Sequence, residues 1–126
     1  MNKEKLTIGT PLVLESDSPS QEYGVVFEDD GETAYFYALD LSRDDNPIVD
    51  ALQIYSVTGL RGARHSVAVV WSADGLKAGL FLSDSPQAVF DFDARRGYCR
   101  TGCPEPDSRW TQHDHRWSDV AADLLR

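Results

Sequence analysis

Two cysteines and two histidines, the residue types best suited to bind zinc, lie near the C-terminal end of the sequence. Cys99 and Cys103 are separated by three residues, and His113 and His115 follow after nine more, with one residue between them. Paired cysteines about 2 to 4 residues apart are typical of structural zinc sites, although the histidines of such sites are usually spaced more widely. The segment therefore predicts one of two arrangements. One is a zinc site, and the other is a buried Cys99 and a loop Cys103, both reduced, beside surface histidines.

Cys99 is also a candidate nucleophile. A cationic setting lowers the pKa of a thiol, and Arg96 and Arg100 are close to Cys99 in the sequence. His113 or His115 would then act as the base of a thiol-dependent enzyme. The sequence contains no G-x-S-x-G, Gly-rich phosphate-loop or H-E-x-x-H motif. Serine hydrolase, P-loop and zincin functions therefore have no support.

The acidic residues are concentrated in one part of the chain. The net charge is −9, and residues 15–50 alone hold eleven acids and one base, whereas residues 51–126 are neutral. An acidic surface opposes nucleic-acid binding. It is either a docking surface for a basic protein or a solvated surface without a partner. The candidate contacts are carboxylates near predicted turns: Glu28, Asp29, Asp30, Glu32, Asp44 and Asp45.

Length and composition fit one globular domain over residues 1–126, with the option of a flexible N-terminus at residues 1–10. The chain is 41% hydrophobic and 10% aromatic, which is too apolar for a disordered protein. No stretch approaches the ~18 apolar residues of a membrane helix, and the first 15 residues lack the apolar core of a secretory signal. We therefore expect a cytoplasmic protein without a membrane partner.

Alternating apolar and polar residues predict mainly β-strands. Residues 12–15 read as an edge strand, and Asp30-Gly31, taken as a two-residue turn, joins strands 23–28 and 33–40 with Phe27 opposite Ala34. The Asp74-Gly75 turn predicts a second hairpin, followed by a third strand at 88–93. This hairpin places eight apolar residues on one face: Val67, Val69, Trp71, Ala73, Leu76, Ala78, Leu80 and Leu82.

The predicted fold class is α+β, an antiparallel sheet of five to seven strands with a C-terminal helix packed on one face. Asn46 and Pro47 suit the start of one helical turn before a strand at 51–57. In the C-terminal WSDVAADLLR, Ser118 is a candidate cap. Nine residues make a marginal helix, so it must pack on the sheet.

Five strings resemble a family of small uncharacterised bacterial proteins, a domain of unknown function, over about residues 22–126. They are YGVVFEDDGETAYFYALD, NPIVDALQIYSV, VWSADGLKAGL, AVFDFDARRGYCRTG and HRWSDVAADLL. The resemblance implies a bacterial cytosolic protein and brings no activity, cofactor or catalytic residue. In that family GYCR is typical and the cysteine at position 103 is not, which takes one ligand from the zinc hypothesis.

The leading interpretation is a non-catalytic acidic interaction module without a cofactor. In size and charge the chain is similar to immunity proteins that neutralise basic toxins, an analogy of build and not of site. The alternative is a zinc-binding or thiol-dependent enzyme centred on Cys99, His113 and His115. A third hypothesis is a small-ligand pocket lined by aromatic residues: Tyr35, Tyr37, Tyr55 or Trp71. The sequence leaves the oligomeric state open.

Overall fold

The computed structural model of the protein describes residues 2–106 and 109–126. Within these residues the chain forms nine strands and one short helix. The elements are β1 (Asn2–Thr7), β2 (Leu12–Asp17), β3 (Tyr23–Asp29), β4 (Thr33–Asp40), β5 (Ile48–Ser56), β6 (Arg64–Trp71), β7 (Lys77–Leu82), β8 (Ser85–Asp91), β9 (Arg96–Cys99) and α1 (Val120–Asp123). In this described part of the chain, no helix is long and apolar enough to cross a membrane.

The strands form two antiparallel sheets that share one core. The four-stranded sheet has the order β2-β3-β4-β5, and the five-stranded sheet has the order β1-β6-β7-β8-β9. Phe36 of the first sheet stacks on Phe90 of the second, with ring centroids 5.2 Å apart, and both are fully buried. Each such side chain contributes about 1.5–3 kcal/mol through burial. The alternation seen in the sequence therefore serves two facing sheets and not the single predicted sheet.

The Asp74-Gly75 hairpin is confirmed in its predicted register. Three of the four expected pairs lie between β6 and β7: Val67 with Leu82, Val69 with Leu80 and Trp71 with Ala78. Asp74 stabilises the turn by accepting hydrogen bonds from Ser72 and from the Leu76 amide, and it receives the ammonium of Lys77 at 3.0 Å. Ser72 first, then Leu76 and Lys77, lower the pKa of Asp74 to about 2. Turn chemistry and alternation agree here, which explains why local sequence predicts the pairing.

The Asp30-Gly31 hairpin exists, but its register differs from the prediction by two residues. Phe27 pairs with Phe36, and the last pair before the turn is Asp29 with Ala34. The turn lies one residue later than predicted, because the Asp30 amide donates to the Thr33 carbonyl at 3.1 Å and leaves Gly31 and Glu32 at the tip. The like-charge pairing of Asp29 with Glu32, which a turn centred on Asp30-Gly31 requires, is thereby avoided.

The α+β class with a C-terminal helix is not supported, because α1 contains four residues. Asp119 precedes it without a side-chain cap, and its carboxylate instead accepts the indole N–H of Trp117 at 3.2 Å. The segment does pack on the outer face of the five-stranded sheet, where Ala121 lies in a small cluster with Val89 and Tyr98. Antiparallel sheets therefore dominate the fold, and the helix is limited to one turn by its missing cap.

The start of β5 differs from the prediction, and the N-terminal residues form a strand. Asn46 and Pro47 do not begin a helical turn, since the Asn46 side chain accepts the Ile48 amide at 3.1 Å and β5 begins at Ile48. The first ten residues contain β1, which pairs with β6 from Asn2 to Thr7 and so is part of the sheet. The expected edge strand at 12–15 is present as β2, at one edge of its sheet.

Candidate functional site

Asp29, one of the predicted contact residues, is an internal structural group. Its side chain is completely buried. One carboxylate oxygen accepts hydrogen bonds from the Tyr55 hydroxyl at 2.6 Å and the Gly9 amide at 2.9 Å, and the other accepts the Gly31 amide at 2.8 Å. Burial, and then the hydrogen bond and charge of Asp29, raise the pKa of Tyr55 far above its usual range. Asp29 therefore joins three segments of the chain and is not available to a partner.

Asp30 and Glu32 are exposed at the same turn. Asp30 accepts hydrogen bonds from the Thr33 and Glu32 amides at 2.9 Å each, and these bonds, Thr33 first, lower its pKa. The carboxylate therefore stabilises the turn and stays charged at neutral pH. Arg61 donates to the Gly31 carbonyl at 3.1 Å, so a positive charge lies beside these acids.

The six predicted acidic residues do not form one surface. Asp30 and Glu32 precede β4, whereas Asp44 and Asp45 follow it in the exposed loop before β5. The eight residues of β4, at about 3.3 Å per residue, separate its two ends by roughly 23 Å. A partner contact centred on one end therefore does not include the other.

The outer side of the four-stranded sheet carries a pair of tyrosines that the charge pattern does not point to. Tyr35 and Tyr37 alternate along β4 with buried core residues and so project away from the core. Their rings stack, with centroids 5.8 Å apart and an angle of 20° between planes. Across the sheet, Glu28 pairs with Tyr35, and Val26 pairs with Tyr37. We call this surface the tyrosine face, and it comprises Val13, Glu15, Val26, Glu28, Tyr35 and Tyr37.

The tyrosine face combines exposed apolar area with negative charge. Val13 is 53% exposed. Burial first, and then the charge of Glu28, raise the pKa of Tyr37, so the Glu28 carboxylate acts on the tyrosine hydroxyl. Among the six predicted contacts, Glu28 is the one that lies on this face. Aromatic residues surrounded by polar ones are typical of protein interfaces.

A cleft of about 620 Å³ adjoins the tyrosine face at the edge strand β2. Its walls come from β2, β6 and the turn after β2: Glu15, Ser16, Asp17, Pro19, Val69, Val70 and Trp71. The Trp71 indole donates to the Ser16 hydroxyl at 3.0 Å, which links the two sheets at this edge. Two carboxylates make the cleft acidic and extend the negative surface of the face. Trp71 thus lines a cleft, whereas Tyr35 and Tyr37 lie outside it.

The cysteines and histidines of the predicted zinc site are dispersed. Cys99 is buried, and its thiol donates to the Gln53 carbonyl at 3.3 Å. Cys103 and His113 are exposed, while His115 is buried against other residues. Within residues 2–106 and 109–126, no group of three or more His, Cys, Asp or Glu side chains is placed to hold a metal ion. These four residues therefore do not assemble a tetrahedral shell in this structure.

The surroundings of Cys99 are opposite to those of an activated nucleophile. Burial raises the pKa of the thiol. Arg96 lies over the ring of Tyr98, 4.6 Å from its centroid, and Arg100 lies over the ring of Trp117 at 4.2 Å. The two guanidinium groups stack on aromatic rings, and the buried setting of the thiol disfavours its ionised, nucleophilic form.

A buried Asp50–His115 pair is the titratable site that the sequence patterns missed. His115 Nε2 lies 3.0 Å from both carboxylate oxygens of Asp50, and Nδ1 lies 2.5 Å from the Pro104 carbonyl oxygen. Because both partners are acceptors, both ring nitrogens must donate, so the ring is an imidazolium. Sixty-five positions separate Asp50 from His115, and no local spacing reveals such a pair.

The geometry of the Asp50–His115 pair is that of a buried ion pair. Burial lowers the pKa of His115, but the hydrogen bond and charge of Asp50, with the Pro104 carbonyl, outweigh burial and raise it. The pair lines a cleft of about 220 Å³. Since both nitrogens are occupied, the ring offers none to a substrate or to Cys99.

Fold and site together define the class: a two-sheet antiparallel β protein with an acidic, tyrosine-bearing outer face. The chain belongs to the family described as "Uncharacterized protein conserved in bacteria (DUF2251)", which matches residues 6–126. The resemblance inferred over residues 22–126 is thereby confirmed. A relative from Haemophilus influenzae named "Uncharacterized protein" is 39% identical over 117 residues, 89% of this chain and 73% of that protein. No solved structure matches the chain.

Proposed function

We propose that the protein is a non-catalytic interaction module whose tyrosine face binds a basic protein. The observation that carries the proposal is the stacked Tyr35–Tyr37 pair on the solvent side of the sheet, in register with Glu28. Tyrosines supply contact area at low conformational cost, and carboxylates around them favour a cationic surface. The acidic cleft beside β2 enlarges the negative surface that such a partner would meet.

The two sheets differ in what covers their outer faces. On the five-stranded sheet, Tyr98 and Val89 pack against Ala121 of the C-terminal segment. On the four-stranded sheet, Tyr35 and Tyr37 remain partly exposed beside the 53% exposed Val13. A face that keeps aromatic and apolar area in solvent favours an external partner as its cover.

An immunity protein that neutralises a basic toxin in the cytoplasm is the specific form of this proposal. Its support is the bacterial family, the small size and the net charge of −9. Cys99 and Cys103 are free thiols, which accords with a reducing compartment. The charge also favours fast, salt-sensitive association with a cationic protein.

Partner capture with matched charge variants tests the proposal. The full-length protein is immobilised, exposed to lysate of its source bacterium at low salt, and the retained proteins are identified by mass spectrometry. Glu28→Lys and Asp93→Lys change the net charge equally, but Asp93 is exposed beyond the end of β8, on the other sheet. A basic partner should be retained by the wild type and Asp93→Lys, and lost with Glu28→Lys.

The double variant Tyr35→Thr/Tyr37→Thr tests whether the tyrosine rings themselves contact the partner, since it leaves the net charge of the protein unchanged. We expect this variant to weaken the same complex about tenfold or more, as for interface aromatic residues elsewhere. Circular dichroism and urea unfolding verify that each variant is folded. Equal loss with Asp93→Lys, undiminished binding by the tyrosine variant, or no basic protein retained at low salt would contradict the proposal.

A further inference from the structure

Three arginines from distant parts of the chain line one cleft of about 470 Å³. Arg43 comes from the loop between β4 and β5, Arg95 from the turn before β9, and Arg109 from the segment that follows β9. The remaining walls are Asp40, Val49 and Trp110. A cleft with an excess of guanidinium groups is unexpected in a protein of net charge −9.

Three other arginines, all in the C-terminal part of the chain, have partners. Arg96 and Arg100 lie over aromatic rings, and Arg116 Nε lies 3.9 Å from Asp114. In the part of the chain that the structure describes, no ion pair involves the three arginines of the cleft. The three arginines of the cleft therefore differ from these structural arginines, since they line the cleft without an ion pair.

The floor of the cleft is held in place by packing. The Trp110 side chain is buried and meets Phe92 edge-on, with ring centroids 5.9 Å apart. Asp40 accepts hydrogen bonds from the Ser42 amide and hydroxyl, which holds its loop against the end of β4. Arg95 has a φ of 54°, in the left-handed region, while its carbonyl accepts the Gln112 amide. A strained backbone at this position is maintained by its surroundings.

We propose that this cleft binds a small oxyanion with at least two negative charges. Guanidinium groups form paired hydrogen bonds with planar carboxylates and with phosphates, and several of them around one ligand favour a multiply charged anion. The volume falls within the range of small-molecule sites. Phosphate esters and polycarboxylates share this chemistry. The site is separate from the tyrosine face and does not depend on the proposed function.

Calorimetric titration of the full-length protein with pyrophosphate and with citrate tests the proposal. We expect saturable binding of one probe with a Kd of about 1 mM or tighter, weakened by added salt. Arg43→Gln, Arg109→Gln and Arg95→Gly should each weaken it about tenfold. Glycine suits the left-handed backbone at position 95, so that variant removes charge without adding strain.

Arg64→Gln is the matched control, because Arg64 is exposed on β6 outside the cleft and its loss changes the net charge equally. It should leave the affinity unchanged. Tighter pyrophosphate binding identifies a phosphate ligand, and tighter citrate binding identifies a polycarboxylate. Amide chemical-shift changes in the wild type, which need no variant, should centre on the three cleft arginines. Equal weakening by Arg64→Gln, shift changes centred elsewhere, or no saturable binding of either probe overturns the proposal.

Discussion

Asp29 and Asp50 are both buried carboxylates of the four-stranded sheet, yet different kinds of hydrogen-bond donor stabilise them. Asp29 receives the Tyr55 hydroxyl and two backbone amides, all of them uncharged donors. Asp50 receives the imidazolium of His115 at 3.0 Å, together with its neighbouring Ala51 amide at 2.9 Å. The first is satisfied by fixed dipoles and the second by a partner that titrates.

The difference shows how a charge count overstates an acidic surface. Asp29 and Asp50 are two of the eleven acids in residues 15–50, and both are buried. Their task is to hold turns and loops together, as for buried polar groups in general. An acidic surface can include only the remaining acids, and the register pairs Glu28 of this group with the partly exposed Tyr35.

The largest expected effect is that of His115→Ala. The substitution leaves the Asp50 carboxylate buried without its cation, and breaking a buried pair from one side costs about 3–5 kcal/mol. Urea denaturation measures this loss as a lower free energy of unfolding. Adding Asp50→Asn should restore part of it, because the neutral amide removes the uncompensated charge. His113→Ala, at an exposed position, is the control and should leave stability unchanged. A loss below about 1 kcal/mol for His115→Ala would show that water replaces the imidazolium.

A smaller effect is expected for Asp29→Asn. The amide keeps one acceptor oxygen and turns an N–H₂ group toward donors that previously met a carboxylate, which costs about 2–3 kcal/mol. Tyr55→Phe removes a single donor and should cost less than Asp29→Asn. The measurement is again urea denaturation. Glu32→Gln, an exposed change at the same turn, is the matched control. If Asp29→Asn and Glu32→Gln gave the same stability, Asp29 would not be the structural group described above.

Local features of the fold were predictable where turn and alternation agree. The Asp74-Gly75 hairpin has both, and its register is the predicted one. The Asp30-Gly31 segment has the same signature, but its turn lies one residue later, where the Asp30 carboxylate accepts the Glu32 and Thr33 amides. The prediction of a longer C-terminal helix was wrong for a related reason, since the Asp119 carboxylate accepts the Trp117 indole N–H instead of capping the helix. Such competing hydrogen bonds form between residues close in the sequence. They leave no trace in the hydrophobic periodicity from which strands and helices are predicted.

The candidate sites were less predictable because they depend on contacts between sheets and strands. Asp29 and Tyr55 are 26 positions apart, and Asp50 and His115 are 65 apart. The tyrosine face did leave a signal, since Tyr35 and Tyr37 alternate with the apolar residues of the predicted core. A period of two places them outside, whatever the register of the hairpin. The sequence therefore predicts that Tyr35 and Tyr37 lie on the outer face, but it does not predict that Asp29 is buried.

The smallest expected effect is the pH dependence of the unfolding free energy, which distinguishes the Asp50 site from the Asp29 site. The pKa of His115 is raised in the folded protein above its ordinary value of 6.5. Its contribution to stability is therefore complete below about pH 6.5 and is lost as the pH rises through the folded pKa. The donors to Asp29 are amides and the Tyr55 hydroxyl, whose pKa is raised, so these donors keep their protons in this window. Unfolding free energies measured from about pH 6 to 9 should fall for the wild type and for His113→Gln. They should fall less for His115→Gln, since glutamine does not titrate. An identical slope in His115→Gln would mean that another group titrates, and that the imidazolium does not neutralise Asp50 in the way the hydrogen bonds require.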